Sequence, residues 1–343
     1  MLNSRARSLL LTALCGVWLV LGSTSRVLAE EQVRVARWKD DKAAAFLLMF
    51  DDSWPSHWQV VAPELVKRKM TATFYICPGK GEYQKFAKEW EETLWRQGLV
   101  YGDHTMTHKG VTDLANAEWE IGECAQYIRK TTQSKADRLV SYGQPGVGPK
   151  DWNITGEQLD ELLKKHRLIS RPTFVDHGAV YHLKTAKEML ALADKAIAGH
   201  GMEYVVFHGV ERITPDWGYQ DMWPLQQEIF LAVLDGLQER RDKGQLWITD
   251  HISMHQYETE RDRAKVRVVE SNGSRLRLEL TSKADPRYYD APLTLVARLP
   301  ADWKMARVTQ GEKQTMVASE SGVIRFDALP GDQPITLERV EEQ

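Results

Sequence analysis

Three places in the 343-residue chain put carboxylates and imidazoles where they can do chemistry. The first is Phe50-Asp51-Asp52-Ser53. Adjacent carboxylates at a strand end cannot both point the same way, because successive side chains alternate across the pleat. One can ligate a cation while the other stays free as a base, although such a pair also serves turn or cap chemistry. The second is Gly102-Asp103-His104-Thr105-Met106-Thr107-His108. Histidines at i and i+4 stand on one side of a helical turn and can reach one metal ion, although spaced pairs of this kind are as often surface residues as ligands. Two histidines and one carboxylate, with coordination positions left open, form a catalytic pattern for zinc or a similar divalent ion. The third is Val205-Val206-Phe207-His208-Gly209, a histidine after a buried apolar run, which reads equally as a hydrogen-bonded structural residue. Asp250-His251-Ile252-Ser253-Met254-His255 is a rival, with the same histidine spacing and an acid beside it. It lacks a second free carboxylate and leaves Asp51-Asp52 unexplained.

The elements that must position these residues alternate. Ala45–Phe50, Thr71–Cys77, Leu99–Tyr101, Arg138–Tyr142, Leu168–Ser170, Glu203–His208 and Gln245–Thr249 read as strands. Between them, Trp58–Met70, Glu82–Arg96, Ala117–Lys130, Thr155–Lys165, Thr185–Ala198 and Pro224–Asp242 carry helical spacing, with Thr155 a candidate N-cap. Alternation of this kind implies parallel strands covered by helices, and seven such units over residues 30–263 favour a (β/α)7-type barrel or partial barrel over an open sheet, a choice that spacing alone does not decide. In such barrels chemistry gathers at the C-terminal strand ends, where the first three clusters fall. From residue 264 to 343 the texture changes to short strands separated by Asn272-Gly273, Gln310-Gly311 and Pro330-Gly331. That region reads as a small β-sandwich-like domain of accessory role.

Residues 1–29 read as an export signal. Arg5 and Arg7 precede an apolar run from Leu9 to Gly22, and Val27 and Ala29 suit cleavage after Ala29. The run is shorter than the roughly 20 residues of a membrane span. Cleavage leaves 42 basic and 48 acidic residues, a charge of -6, so no basic field draws nucleic acid. No later apolar stretch is long enough to span a bilayer, which predicts a secreted, periplasmic or cell-envelope protein without stable membrane insertion. Cys77 and Cys124 survive cleavage, and export permits a bridge between them, although the sequence does not show that they meet. Twelve Trp and eleven Tyr suit sugar binding but are more often core.

Phe50-Asp51-Asp52, His104-Thr105-Met106-Thr107-His108 and Val206-Phe207-His208, in that order, resemble the polysaccharide deacetylase family (NodB-homology domain, carbohydrate esterase family 4) over about residues 40 to 262. The resemblance implies a distorted barrel and one divalent metal, usually zinc, held by Asp52, His104 and His108. It implies Asp51 as general base and His208 as general acid. It further implies an acetylated polysaccharide substrate, with water attacking the acetyl carbonyl and a backbone N–H near Tyr142 receiving the oxyanion. O-acetyl ester hydrolysis at the same site, and catalytically silent glycan binding on this scaffold, are the alternatives. Trp217, Tyr219 and Trp223 either line a sugar groove with Tyr142 or pack over the seventh strand. The chain departs from the family pattern at Met49, where Thr is usual, and at Ser53, where Gly is usual. The best match to the third motif, Ser141–Gly146, has no Arg, and neighbouring Arg138 is not assigned that role. The fourth motif is not identifiable: Asp151-Trp152 falls too early and Asp216-Trp217 too late, while Asp176 is one candidate partner for His208.

Overall fold

Phe46, Leu48 and Phe50 face one way, Ala45, Leu47 and Met49 the other, and none meets solvent. A strand apolar on both faces belongs inside a parallel sheet that is covered on both sides. The computed structural model describes residues 32–135, 138–173, 183–211 and 223–340. In chain order its first strands are β1 (Val33–Val35), β2 (Ala44–Asp51), β3 (Thr73–Ile76), β4 (Val100–Asp103), β5 (Val140–Tyr142), β6 (Leu168–Ser170), β7 (Met202–Phe207), β8 (Val210–Glu211), β9 (Leu225–Gln226) and β10 (Leu246–Thr249). The apolar strand is β2, the hub of a seven-stranded parallel sheet. It pairs with β7 through Ala45–Phe50, with β10 through its first half and with β3 through its second half. β4, β5 and β6 follow in order. Among the described residues β6 and β7 do not pair, so the sheet is a curled half-barrel.

The two faces of the sheet have different tasks. Phe46, Phe50, Phe74, Tyr101 and Tyr142 pack outward against the helices. Ala45, Leu47, Met49, Tyr75 and Val206 line the lumen. Asp51 continues the inward set at the C-terminal mouth, so strand alternation alone aims it into the barrel.

Local signals set the helix starts. Thr155 and Thr185 each make a capping box, with Gln158 and Glu188, at the heads of Gly156–His166 and Ala186–Gly199. The expected helix over Glu82–Arg96 is instead three short pieces, and a wide turn at Glu89–Thr93 keeps Trp90 in the core, stacked on Tyr83. A helix at His251–Arg263 was not anticipated, because its buried side includes His251, Gln256 and Glu260 rather than an apolar stripe.

The C-terminal strands are β11 (Ala264–Ser271), β12 (Arg275–Ser282), β13 (Leu293–Arg298), β14 (Met305–Gln310), β15 (Lys313–Ala318), β16 (Val323–Ala328) and β17 (Ile335–Arg339). They form antiparallel sheets in the orders β11-β12-β17-β14-β15 and β1-β13-β16, over a core that includes Leu278, Leu295, Trp303, Ile324 and Leu337. The earliest strand, β1, is thus part of the accessory region, paired with β13. Its three residues are too few to show a period, and their partner is distant in sequence. β17, which directly follows Pro334, was also not anticipated.

The chain from β1 enters the barrel through Trp38, which is 1% exposed and whose indole N–H donates to the His200 carbonyl at 3.1 Å. Lys39 then pairs with Asp327, and the Tyr257 hydroxyl donates to the Ala36 carbonyl, tying the two regions together. Trp38→Ala is expected to lower the unfolding free energy by about 3–5 kcal/mol. A chemical denaturation midpoint equal to that of the wild type would show that this ring is not part of the packing.

Candidate metal centre

Strand β2 ends by separating its two carboxylates. Asp51 keeps the lumen direction, while Asp52 and Ser53 turn left-handed, with φ of 78° and 59°. The Asp52 N–H donates to the Tyr75 carbonyl at 3.1 Å, and Ser53 Oγ accepts the Cys77 N–H at 2.9 Å. A non-glycine residue in that region costs energy that its surroundings must return. These bonds hold Ser53 where the family usually has glycine.

His104 and His108 do come together, but not on a helical turn. They sit in an irregular loop after β4, in which Thr105 and His108 have φ of 65° and 61°. Asp103 Oδ1 accepts the Thr105 N–H at 2.8 Å. Glu120 accepts from the Thr107 N–H and hydroxyl at 2.9 and 2.6 Å. These two buried acids shape the loop, and burial pushes the Asp103 carboxyl up to about 8.

The donor atoms of Asp52, His104 and His108 lie within 4.8 Å of one another. Asp52 Oδ1 is 3.4 Å from His104 Nε2 and 3.0 Å from His108 Nε2. Donors around a tetrahedral ion at about 2.0 Å are roughly 3.3 Å apart, so these separations fit a small divalent cation. Two further observations agree. Asp52 Oδ1 is buried without a hydrogen-bond partner. His104 Nδ1 meets the Gly143 carbonyl at 2.6 Å, which requires Nδ1 to carry a proton and turns Nε2 toward Asp52.

Asp51 is held differently. Arg171 donates to both of its oxygens, Nη1 to Oδ1 at 2.5 Å and Nη2 to Oδ2 at 3.0 Å. The guanidinium also lies over the Tyr75 ring, 4.5 Å from its centre. Gly143 makes the room: a Cβ there would come within 2.9 Å of Arg171 Cζ. Burial alone would raise the Asp51 carboxyl, but Arg171, with His104 beyond it, outweighs that and holds it below its ordinary range. Asp52 is likewise raised by burial and lowered further by its two imidazoles, so it too stays ionised. For both carboxylates the folded value lies below the unfolded one. Their contribution to stability is therefore in place above about pH 4 and is lost as pH falls further.

Arg171 is the residue that sequence reasoning missed. The guanidinium was sought in the segment after β5, whereas it follows β6, directly before Pro172. Its signal was its position: a cation at the C-terminal end of a barrel strand. His208 follows β7 at the same mouth, with Nδ1 3.9 Å from Asp52 Oδ2 and its ring edge-on to Trp223. The Tyr142 side chain is turned away from the lumen and is 2% exposed in the helix-facing core. Trp217, Tyr219, Asp176 and Asp216 lie outside the described residues. The rival cluster does not assemble. Asp250 caps its helix through the Ser253 N–H, His251 Nδ1 meets Ser141 Oγ, and His255 Nε2 meets the Tyr289 hydroxyl. Cys77 and Cys124 are buried free thiols and form no bridge.

Residues 39–146 match the polysaccharide deacetylase family. The resemblance carried by the motifs is therefore borne out over that stretch, which holds Asp51, Asp52, His104 and His108. A gellan lyase from Bacillus sp. is 23% identical over 304 residues, covering 80% of this chain. The chain spans only 12% of that curated relative's length. Three solved structures are also similar. A family 4 carbohydrate esterase from Streptomyces lividans, in complex with acetate, is 17% identical with a TM-score of 0.39, covering 62% of this chain and 94% of that one. The peptidoglycan deacetylase PdaC from Bacillus subtilis is 15% identical with a TM-score of 0.38, covering 62% and 90%. BA3943 from Bacillus anthracis, described as a CE4 family pseudoenzyme, is 13% identical with a TM-score of 0.43, covering 64% and 67%.

Removing the guanidinium takes away the strongest opposition to the burial effect on Asp51. Arg171→Met is expected to move the acid limb of the pH–rate profile upward by about one unit or more and to leave metal content unchanged. Parallel metal analysis and pH-dependent turnover check this, and an unmoved limb would show that Arg171 does not set the ionisation of Asp51.

Proposed function

We propose that this protein is a metal-dependent hydrolase that removes acetyl groups from an N-acetylated polysaccharide outside the cytoplasm. The observation that carries the reading is the convergence of Asp52, His104 and His108 beside a second, separately tethered carboxylate. The ligand set, one carboxylate and two imidazoles, suits zinc. When bound, the ion supplies a Lewis acid for the acetyl carbonyl and lowers the pKa of water.

The chain's own groups divide the remaining work. Asp51 is kept ionised and aimed into the lumen by Arg171, with one oxygen 3.9 Å from His104 Nε2, and it takes the proton from the attacking water. His208 stands on the Asp52 side of the mouth and gives a proton to the departing nitrogen. An amine is a poor leaving group, so this acid matters more for an amide than for an ester. A backbone N–H near Tyr142 is the donor assigned to the developing oxyanion; the tyrosine ring itself faces the other way. The family match supports a polysaccharide substrate. Export rests on the leader-like residues 1–29, which lie outside the described residues. Among the described residues no helix is long and apolar enough to cross a membrane.

Acetate released from a panel of N- and O-acetylated glycans, with chelator and with zinc added back, tests the reading directly. His104→Ala is expected to lose the metal. Asp51→Asn is expected to keep the metal and lose kcat by about 100-fold or more. Turnover that survives chelation, or an Asp51→Asn variant as fast as wild type, would overturn the mechanism.

A further inference from the structure

Lys80 stands at the mouth of the same site and has no task in the hydrolysis just described. Its ammonium is 4.0 Å from Asp52 Oδ2 and lies over the face of Trp54, 4.4 Å from the ring centre. Its side chain is only 16% exposed, so it is not a freely waving surface lysine. The loop that carries it is fixed. Pro78 restricts the backbone just before it, and the Gly79 N–H donates to the Met106 carbonyl at 2.7 Å, in the loop that holds both histidines. A Cβ at Gly79 would come within 2.8 Å of that oxygen, so only glycine allows this approach. Yet the ammonium makes no hydrogen bond among the described residues, so none of these takes up its three donors.

The charge balance says what those donors are for. Asp51 is neutralised by Arg171, and Asp52 is already matched by Lys80 before any cation arrives. A divalent ion on Asp52, His104 and His108 therefore leaves the pocket with surplus positive charge. Water and a neutral acetylated sugar bring no net charge, because the proton that Asp51 takes offsets the oxyanion. Counted over the described residues, a surplus remains unless the substrate brings an anion of its own. We infer that Lys80 is a specificity residue that pairs with a carboxylate on the glycan, so that the preferred substrate is an acidic acetylated polysaccharide. This deepens the deacetylase reading and rests on it for the word substrate, but the binding it predicts does not require turnover.

The test uses two matched acetylated oligosaccharides, one bearing sugar carboxylates and one with those carboxyls reduced to alcohols. Calorimetric affinity at low and high salt, and acetate release, are measured for wild type, Lys80→Met and Lys80→Arg. The wild type is expected to favour the acidic oligosaccharide about tenfold, the worth of one well-placed ion pair, with the preference shrinking as salt rises. Lys80→Met brings the ratio close to one, and Lys80→Arg restores most of it. Metal content of each variant is measured alongside. Equal affinity of the wild type for both sugars, or an equal fall for both in Lys80→Met, would overturn the inference while leaving the hydrolase intact. If the acidic sugar binds through Lys80 and neither sugar releases acetate, the hydrolase reading fails and the carboxylate site stands.

Discussion

The architecture of this site follows from burying two ionised carboxylates on consecutive residues. Asp51 and Asp52 are 2% and 5% exposed. Taking a carboxylate out of water costs several kcal/mol unless a cation and hydrogen bonds compensate. Two such groups side by side also repel. The fold resolves this by sending them to different partners. Alternation along β2 delivers Asp51 to Arg171 across the lumen, and a left-handed turn swings Asp52 out to the imidazoles. Neither arrangement survives without the other. Without the turn both carboxylates would compete for one guanidinium, and without Arg171 the Asp51 carboxylate would be buried without its closest counter-charge.

The same demand explains where backbone strain collects. Asp52, Ser53, Thr105 and His108 all hold positive φ, and all belong to the loops that bring Asp52, His104 and His108 together. Each such residue costs of order 1–3 kcal/mol, which rigid neighbours return through bonds from Tyr75, Cys77, Asp103 and Glu120. The buried thiol of Cys77 serves this support as well, reaching the His104 carbonyl at 3.3 Å. That packing role agrees with its remaining free rather than bridged.

Residue types and order carried much of this to the surface of the sequence. β2, β4 and β7 are short apolar or mixed runs whose last residues bear the acids and imidazoles, so the rule that chemistry sits at strand ends located Asp51, Asp52, His104 and His208 together. The spacing of His104 and His108 was informative although its presumed geometry was not. An i, i+4 pair suggests a helical turn, whereas two left-handed residues do the same work in a loop. Where a true helix does carry that spacing, at His251 and His255, the rings are 6.5 Å apart and bond elsewhere. Arg171 was hidden because a weak three-residue strand precedes it, and a guanidinium's reach across a lumen has no signature in local sequence. β1 was hidden for the same reason: its partner β13 is a tertiary fact.

The rival histidine shows how the lumen protects the pair it surrounds. Tyr75, Ser141 and His251 form a hydrogen-bonded column below Arg171, with Tyr75 Oη 2.8 Å from Ser141 Oγ and Ser141 Oγ 2.7 Å from His251 Nδ1. Burial, with His255 and Arg171 adding to it, pushes His251 down to about 3. It is therefore neutral at any working pH and brings no second cation beside the guanidinium. A charged imidazole there would repel Arg171 and loosen its hold on Asp51. The column works because it is polar enough to orient Tyr75 under the guanidinium and uncharged enough not to repel Arg171 from Asp51.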